Sequence, residues 1–358
     1  MFKKLDLYII KKYLGTFFFS IVLIISISVV FDVTEKIDEF HDNHAPLKAI
    51  VFDYYLNFIP YFANLFTPLF SFISVIFFTS KMAYNSEIVA ILAGGVSFNR
   101  LLRPYIFSAV VIGLMSFLLG AYVIPPANEI RLAFEDKYIN KFTSEVARNV
   151  QMEVKPGVIL YIERFEEKRN RGTHFSLEHY EGKHLVSRTT AKTVTWLKDS
   201  LWVVQDYLTR DFDGLYETIT KGSRMDTFIN VEPYEFFIES QHAPQMTIGE
   251  LNRYLNKQKE RGLGNTQAFA DEYYKRISNP FAALILMLIG VSLSSRKVKG
   301  GMGLHIGIGI ALSAVYILFT TISSVFAVKG SMPTLLTVWL PNIIFSIIGI
   351  ALYMHAPK

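Results

Sequence analysis

The chain alternates between long apolar runs and connectors that hold its charged residues. Asp, Glu, Lys and Arg are absent from six runs of 18 to 25 residues: 14–31, 58–79, 104–124, 277–295, 304–328 and 333–354. A helix rises ~1.5 Å per residue and crosses a ~30 Å hydrocarbon layer in about 20 residues. The pattern therefore predicts six transmembrane helices, in two groups of three that flank one long polar segment.

In that polar segment, residues 125–276, the spacing of hydrophobic positions changes along the chain. A polar helical stretch comes first. After it, hydrophobic and polar residues alternate and β-branched and aromatic residues are enriched, which is typical of strands. The predicted strands are 157–163, 175–180, 184–190, 193–197 and 201–207, with turn signals that include Asp213-Gly214 and Lys221-Gly222-Ser223. Such short strands predict an antiparallel sandwich or partly open barrel over about 143–245. Thr247 and Glu250 form a capping box that begins a polar helix.

The predicted fold class is thus a polytopic α-helical membrane protein with six transmembrane helices and an inserted all-β domain. Its parts are an N-terminal membrane half (1–124), the polar domain (125–276) with helical connectors at both ends, and a C-terminal membrane half (277–358).

Charge in the connectors predicts the orientation, because cytoplasmic loops carry an excess of Lys and Arg. The N-terminal tail, the C-terminal tail and the connectors 80–103 and 296–303 together hold 11 basic and two acidic residues. The connector 32–57 holds two basic and six acidic residues. We therefore expect both termini in the cytoplasm and the polar domain outside it, so the net charge of +5 reflects topology and not nucleic-acid binding.

Composition and motifs argue against an enzyme. The chain is 51% hydrophobic and 19% charged, and it has no cysteine for disulfides or thiolate metal sites. It lacks the P-loop, H-E-x-x-H and G-x-S-x-G patterns, so no catalytic residue and no cofactor are predicted. His41 and His44 fit a solvated acidic loop better than a metal site, and no metal is predicted.

The apolar runs contain no ionisable residue except His305, near one end of its run. Ion-coupled transporters place such residues deep in the bilayer. The pattern favours a large amphiphilic substrate and an energy source outside this chain.

The connector between the second and third runs predicts a short helix, 86–93, with Ser86 or Asn85 as its cap. Ile88, Ile91 and Leu92 form an apolar stripe on that helix. The stripe needs a cover, for which the candidates are the lipid headgroups or a groove on a cytosolic partner. Elsewhere, Gly303-x-x-x-Gly307 has the small-residue spacing that lets helices approach, either within the chain or between subunits.

At this connector the sequence resembles the lipopolysaccharide-export permease family, the LptF/LptG type. The coupling-helix pattern of that family is matched by Ser86-Glu87-Ile88, Ala93, Gly95 and Ser97. The opening 7–14, the segment 273–277 with Pro280, and the closing 339–345 are similar as well, and the likeness is nearer the LptG type.

The resemblance implies one permease of an ATP-driven ABC-type exporter, which extracts lipopolysaccharide from the inner membrane of a Gram-negative bacterium. Its implied partners are a second permease of the family, a cytosolic ABC ATPase dimer and periplasmic jellyroll bridge proteins, to which its own periplasmic β-jellyroll passes the lipid. The resemblance assigns ATPase coupling to Glu87, supported by Ile88, Leu92 and Arg100.

One departure concerns the outer end of the first span, where LptG-type members carry basic residues. Here the stretch 32–39 is acidic, and Lys36 is its one lysine and the candidate contact for a lipid phosphate. Two other functions stay open on the residues alone: a non-transporting membrane scaffold, and an exporter of another lipid or of a lipoprotein.

Overall fold

A computed structural model describes residues 3–140, 146–198, 200–237, 240–261, 266–295 and 301–356. The chain forms two compact units. The membrane unit comprises Met1–Lys141, Pro244–Leu251 and Gln267–Lys358, and the β unit comprises Phe142–Ala243 and Asn252–Thr266.

The helices follow in chain order as α1 Lys4–Asp42, α2 Leu47–Ala49, α3 Leu56–Tyr84, α4 Glu87–Ala93, α5 Phe98–Leu118, α6 Ile124–Glu135, α7 Ile248–Glu260, α8 Gln267–Ser294, α9 Gly301–Val328 and α10 Thr334–Met354. Two π-helical turns make α2 continuous with α3 and α5 continuous with α6. Over the described ranges, six helical stretches are long and apolar enough to cross a membrane. Each covers one of the predicted spans to within one residue, so the six-helix membrane fold is confirmed.

The first four helical stretches extend well beyond their apolar runs. Helix α1 has 39 residues, although its charge-free run has only 18. Its second half stays helical because it contains no Gly or Pro and because Lys36 pairs with Asp32 one turn earlier, at 3.1 Å. A charge-free run therefore marks the apolar part of such a helix and not its ends.

Helix α8 lies at the centre of the membrane unit, and α1 lies at its surface. In the most apolar window of α8, 56% of the residues are buried, against 11% in α1 and 22% in α9. The interior also holds hydrogen-bonded hydroxyl groups, such as the pair between Tyr13 Oη and Ser71 Oγ at 2.8 Å. These pairs satisfy polar atoms that lipid could not.

The β unit is one antiparallel sheet of six described strands. They are β1 Val146–Lys155, β2 Val158–Glu166, β3 Arg171–Glu181, β4 His184–Lys198, β5 Leu201–Asp213 and β6 Tyr216–Phe228. Each strand pairs with its neighbours in sequence. The inward side chains include Ile162, Phe165 and Trp202, and the Trp202 indole donates to the Val231 carbonyl at 3.2 Å.

The all-β insert is confirmed, but its predicted arrangement is corrected. Sandwiches with Greek-key connections and jellyrolls pair strands that are distant in sequence. Here short turns, such as those at Gly182 and Gly214 with φ of 66° and 62°, return each strand directly beside the one before it. The described strands therefore form one meander sheet and not a sandwich of two sheets.

Two details of the strand prediction are also wrong. The predicted strands 184–190 and 193–197 are one continuous strand, β4. The predicted turn Lys221-Gly222-Ser223 lies inside β6, where Gly222 pairs with Tyr207 of β5. A Cβ at Gly222 would lie 2.6 Å from Tyr207 Cε1, so the glycine makes room for that ring and does not bend the chain.

The predicted capping box is confirmed at the start of α7. The Glu250 carboxylate accepts from the Thr247 amide at 2.8 Å, and the Glu250 amide donates to Thr247 Oγ1 at 3.4 Å. In the β unit, Arg261 just beyond α7 donates to Glu235 Oε2 at 2.5 Å. The Glu235 and Arg261 side chains are 2% and 4% exposed.

Candidate functional site

The site that the sequence singles out is α4, a seven-residue helix between the long helices α3 and α5. It begins after Ser86, which takes a left-handed conformation (φ 63°), and it ends at Gly94-Gly95, where Gly95 has a φ of 84°. Ser97 then caps α5 by accepting from the Arg100 amide at 3.3 Å. Sharp turns on both sides of α4 therefore fix its position between two membrane helices.

The inward face of α4 is covered by the chain itself. Ile88 is 1% exposed, and Ile91 and Leu92 pack against the core of the membrane unit. The expectation that this stripe needs headgroups or a partner as its cover is therefore wrong. Ile88 and Leu92 anchor α4 from beneath.

The outward face of α4 consists of Val89, Ala90 and Ala93, all of them exposed. Val89 is 56% exposed, and Tyr84, at the end of α3, is 60% exposed. Small apolar side chains leave the helix backbone open to close approach. Sequence reasoning missed this face because hydrophobic periodicity identifies the buried side of a helix; the signal for the outward face is the opposite side of the same helical wheel.

Glu87 lies in the first turn of α4 at the edge of this face, and it is half-buried. Asn85 Nδ2 donates to Glu87 Oε1 at 3.2 Å, and the Tyr8 hydroxyl of α1 lies close enough to interact with the same carboxylate. A carboxylate in a first turn is favoured by the helix dipole. Glu87 is therefore held in place and still reaches the surface.

Arg100 joins α5 to α1. Its guanidinium donates to both carboxylate oxygens of Asp6, each at 2.7 Å, and the Lys3 amide donates to the same carboxylate at 2.8 Å. The Asp6 side chain is 4% exposed and that of Arg100 28% exposed. In the same turn of α5, Asn99 bonds to Tyr353 near the end of α10. Both ends of the described chain thus lie at the α4 end of the bundle.

Lys36 lies near the other end of α1, inside a charged network. Its ammonium lies 3.1 Å from Asp32 and 4.0 Å from Glu135 of α6, and it donates to the Tyr54 hydroxyl. Arg131 pairs with the same Glu135 at 3.0 Å. The charge of Lys36 is therefore balanced within the chain. Of these contacts, sequence spacing predicts only the one with Asp32, its i,i+4 partner.

Gly303 and Gly307 lie on the exposed side of α9. A Cβ at either position would meet no other atom of the structure within 4 Å. Close packing inside the unit instead uses Gly309, where a Cβ would lie 2.3 Å from Ile76 Cδ1. The intramolecular alternative for Gly303 and Gly307 is thus wrong over the described residues, and the inter-subunit alternative stays a prediction.

The structure brings Glu87, Ile88, Leu92 and Arg100 to one end of the membrane unit and places Lys36 away from them. Among the side chains that the structure describes, no group of three or more His, Asp or Glu residues is arranged to hold a metal ion. The arrangement is that of an exposed apolar helix face at one end of the membrane unit.

The family model for the lipopolysaccharide export system permeases LptF/LptG matches residues 7–355, nearly the whole chain. No curated protein matches the sequence. With six apolar spans among the described residues, an inserted β unit and this match over residues 7–355, the chain belongs to the LptF/LptG family of lipopolysaccharide export permeases, an inner-membrane transport subunit that is not itself an enzyme.

Proposed function

We propose that this chain is one permease of an ATP-driven ABC-type exporter that extracts lipopolysaccharide from the inner membrane. In this proposal a second permease of the family completes the membrane cavity, and a separate cytosolic ABC ATPase dimer supplies the energy. The β unit passes the lipid to periplasmic bridge proteins. Family membership supports a place in a multi-subunit export complex.

The exposure of α1 and α9 supports pairing with a second permease. In the most apolar stretch of α1 and of α9, only 11% and 22% of the residues are buried within the chain, against 56% in α8. Gly303 and Gly307 lie on the open side of α9, where a second helix can approach closely. We assign these two glycines to the seam between subunits.

The outward face of α4 supports docking of the ATPase, and this is the observation that carries the proposal. Ile88 and Leu92 fix the helix from the inside, while Val89, Ala90 and Ala93 remain exposed beside Glu87. A rigidly held helix can transmit movement from a partner, because it cannot shift without α3 and α5. Arg100 joins this end of α5 to α1 through Asp6.

Orientation follows from the connector charges. The α4 end carries the basic connector 80–103 and the described residues Asp6 and Tyr353 near the two termini, so in this proposal it faces the cytoplasm and the ATPase. The β unit then lies in the periplasm.

For the lipid, Lys36 is the proposed contact of this chain with a phosphate. That phosphate would compete with Asp32 and Glu135 for the ammonium group. When the lipid enters or leaves the cavity, Lys36 would then exchange its ion pairs with Asp32 and Glu135 for one with the phosphate, so the number of paired charges would change little.

Val89→Arg tests the docking surface. It adds a cation to the exposed face without disturbing the buried one, so we expect a normally folded chain that retains about tenfold less ATPase during purification. Leu47→Arg is the matched control, since Leu47 of α2, beyond the far end of α1, is 76% exposed. It should leave ATPase retention unchanged.

Equal retention of the ATPase by both variants would contradict the assignment of α4. A chain that purifies with periplasmic proteins and never with an ATPase would instead indicate a scaffold. Mass spectrometry of the lipid in the complex identifies the substrate, and a lipid other than lipopolysaccharide would contradict that part of the proposal.

A further inference from the structure

A cavity of about 390 Å³ lies inside the membrane unit, apart from the α4 surface. Helices α3, α5, α6, α8 and α9 and the segment at Pro244 line it. That volume is large enough for the headgroup of an ordinary phospholipid.

One wall of the cavity carries a buried hydrogen-bond acceptor. Asn128 of α6 is 1% exposed, and its side-chain nitrogen donates to the Pro244 carbonyl at 3.2 Å. That bond fixes the orientation of the amide, and Oδ1 then has no hydrogen-bond partner among the described residues. Buried polar atoms normally have a partner, so this oxygen indicates a ligand group that donates a hydrogen bond.

The charges around the cavity are of both signs. Arg276 donates to Glu272 at 2.8 Å, and Lys275 pairs with Asp271 at 2.7 Å, where Glu272, Lys275 and Arg276 line the cavity. The charged residues of the lining itself are thus two cations, Lys275 and Arg276, and one anion, Glu272. A headgroup with both a cation and an anion can meet a partner for each.

Another part of the lining is apolar and reaches the outer surface of the bundle. Leu65, Ile317 and Val325 line the cavity, and they are 51%, 36% and 48% exposed. They belong to α3 and α9, both of them membrane spans. A ligand can therefore enter sideways from the lipid and leave its acyl chains on this wall.

We propose that the cavity binds the headgroup of a zwitterionic, primary-amine phospholipid. Its ammonium donates to Asn128 Oδ1 and faces Glu272, while its phosphate lies toward Lys275 and Arg276. The acyl chains run past Leu65 and Ile317 into the bilayer. This is a resident lipid within one permease, separate from the transported substrate.

Asn128→Leu tests the proposal, because it removes the acceptor and keeps the size of the side chain. The full chain is reconstituted in nanodiscs with equal amounts of phosphatidylethanolamine and phosphatidylglycerol, and native mass spectrometry measures the lipids that stay bound. We expect the wild type to enrich phosphatidylethanolamine about tenfold, the factor that one hydrogen bond to a charged group can supply. The variant should retain the two lipids equally.

Asn57→Leu is the matched control, since Asn57 lies in the same unit and outside the cavity, where its amide bonds only backbone carbonyls. It should keep the wild-type enrichment. Equal retention of both lipids by the wild type would overturn the proposal, and this measurement needs no variant to fold. Full enrichment in Asn128→Leu would overturn it as well.

A third arm separates the lipid from its free headgroup. Soluble phosphoethanolamine at the same concentration should not raise the melting temperature of the wild type, because the apolar wall would then have no acyl chain. Stabilisation equal to that given by the lipid would overturn the assignment to a phospholipid.

Discussion

Two ion pairs that each fix one end of a helix differ in burial. In the β unit, Arg261 beyond α7 holds Glu235, and both side chains are at most 4% exposed. In the membrane unit, Arg100 of α5 holds Asp6 of α1, but the Arg100 side chain is 28% exposed. Both pairs have good geometry, with contacts of 2.5 Å and 2.7 Å.

The difference in burial indicates that the two ion pairs have different structural roles. Breaking a buried pair leaves a charge that water cannot reach, so the Glu235 pair is a permanent structural contact. Water can take over part of the hydrogen bonding of Arg100, so the Asp6 pair can open at lower cost. That second pair lies beside α4, where the proposed transport cycle requires movement.

Arg261→Met should have the largest effect. It leaves Glu235 buried with only Lys257 as a cationic partner, at 3.0 Å, and we expect the free energy of unfolding of the β unit to fall by about 3 kcal/mol. Denaturant unfolding monitored by tryptophan fluorescence measures it, because Trp196 and Trp202 lie in this unit.

Arg224→Met is the control, since it removes the same type of side chain from an exposed pair with Asp226. Surface pairs contribute little to stability, so no measurable change is expected. Equal losses in the two variants would show that burial does not separate these ion pairs.

Acid should give the next largest effect. Burial alone would raise the pKa of Glu235, but hydrogen bonds from Arg261, the Glu232 amide and Lys257 hold the pKa below its ordinary value of 4.5. The unfolded chain therefore takes up this proton before the folded chain does. The stabilisation is complete above pH 4.5 and is lost as the pH falls through the lower pKa of the folded state.

Unfolding of the β unit at a series of pH values measures this dependence. Glu235→Gln has no such group to titrate, so its stability should fall less steeply than that of the wild type below pH 4.5. Identical slopes would show that Glu235 contributes nothing to the acid sensitivity.

Asp6→Asn should have the smallest effect. It keeps the shape of the side chain and removes its charge, and solvent can still reach Arg100, so only a slight fall in the melting temperature of the full chain is expected. Adding Arg100→Gln should then cause little further loss, because both changes break the same contact. Fully additive losses would show that the two residues act separately.

The sequence predicts the membrane fold well because each span is a long run without charge. Helix ends were less predictable, since Lys36 and Asp32 continue α1 beyond its apolar part. In the β unit, glycine was ambiguous: Gly182 and Gly214 make turns, while Gly222 makes room for Tyr207 inside a strand. Only the pairing of the strands distinguishes these two uses of glycine.

For the candidate site, the residues that resemble the family motif lead directly to α4. Periodicity identifies Ile88 and Leu92 as one face, but whether that face meets the chain or a partner depends on how α3 and α5 pack around it. The Asp6–Arg100 pair joins residues 94 positions apart, and the orphaned oxygen of Asn128 depends on a carbonyl 116 positions away. No local pattern reports contacts of that range.

Cross-linking from α4 tests most directly the claim that α4 docks a cytosolic ATPase. Because the sequence has no native cysteine, an introduced cysteine is the one thiol that can react. Ala93→Cys places a thiol on the exposed face of α4, and Leu47→Cys places one on α2, beyond the far end of α1. With a thiol-to-amine cross-linker in intact membranes, we predict that position 93 links to a cytosolic ATPase and position 47 does not. A link from position 47, with none from position 93, would contradict both the docking surface and the orientation.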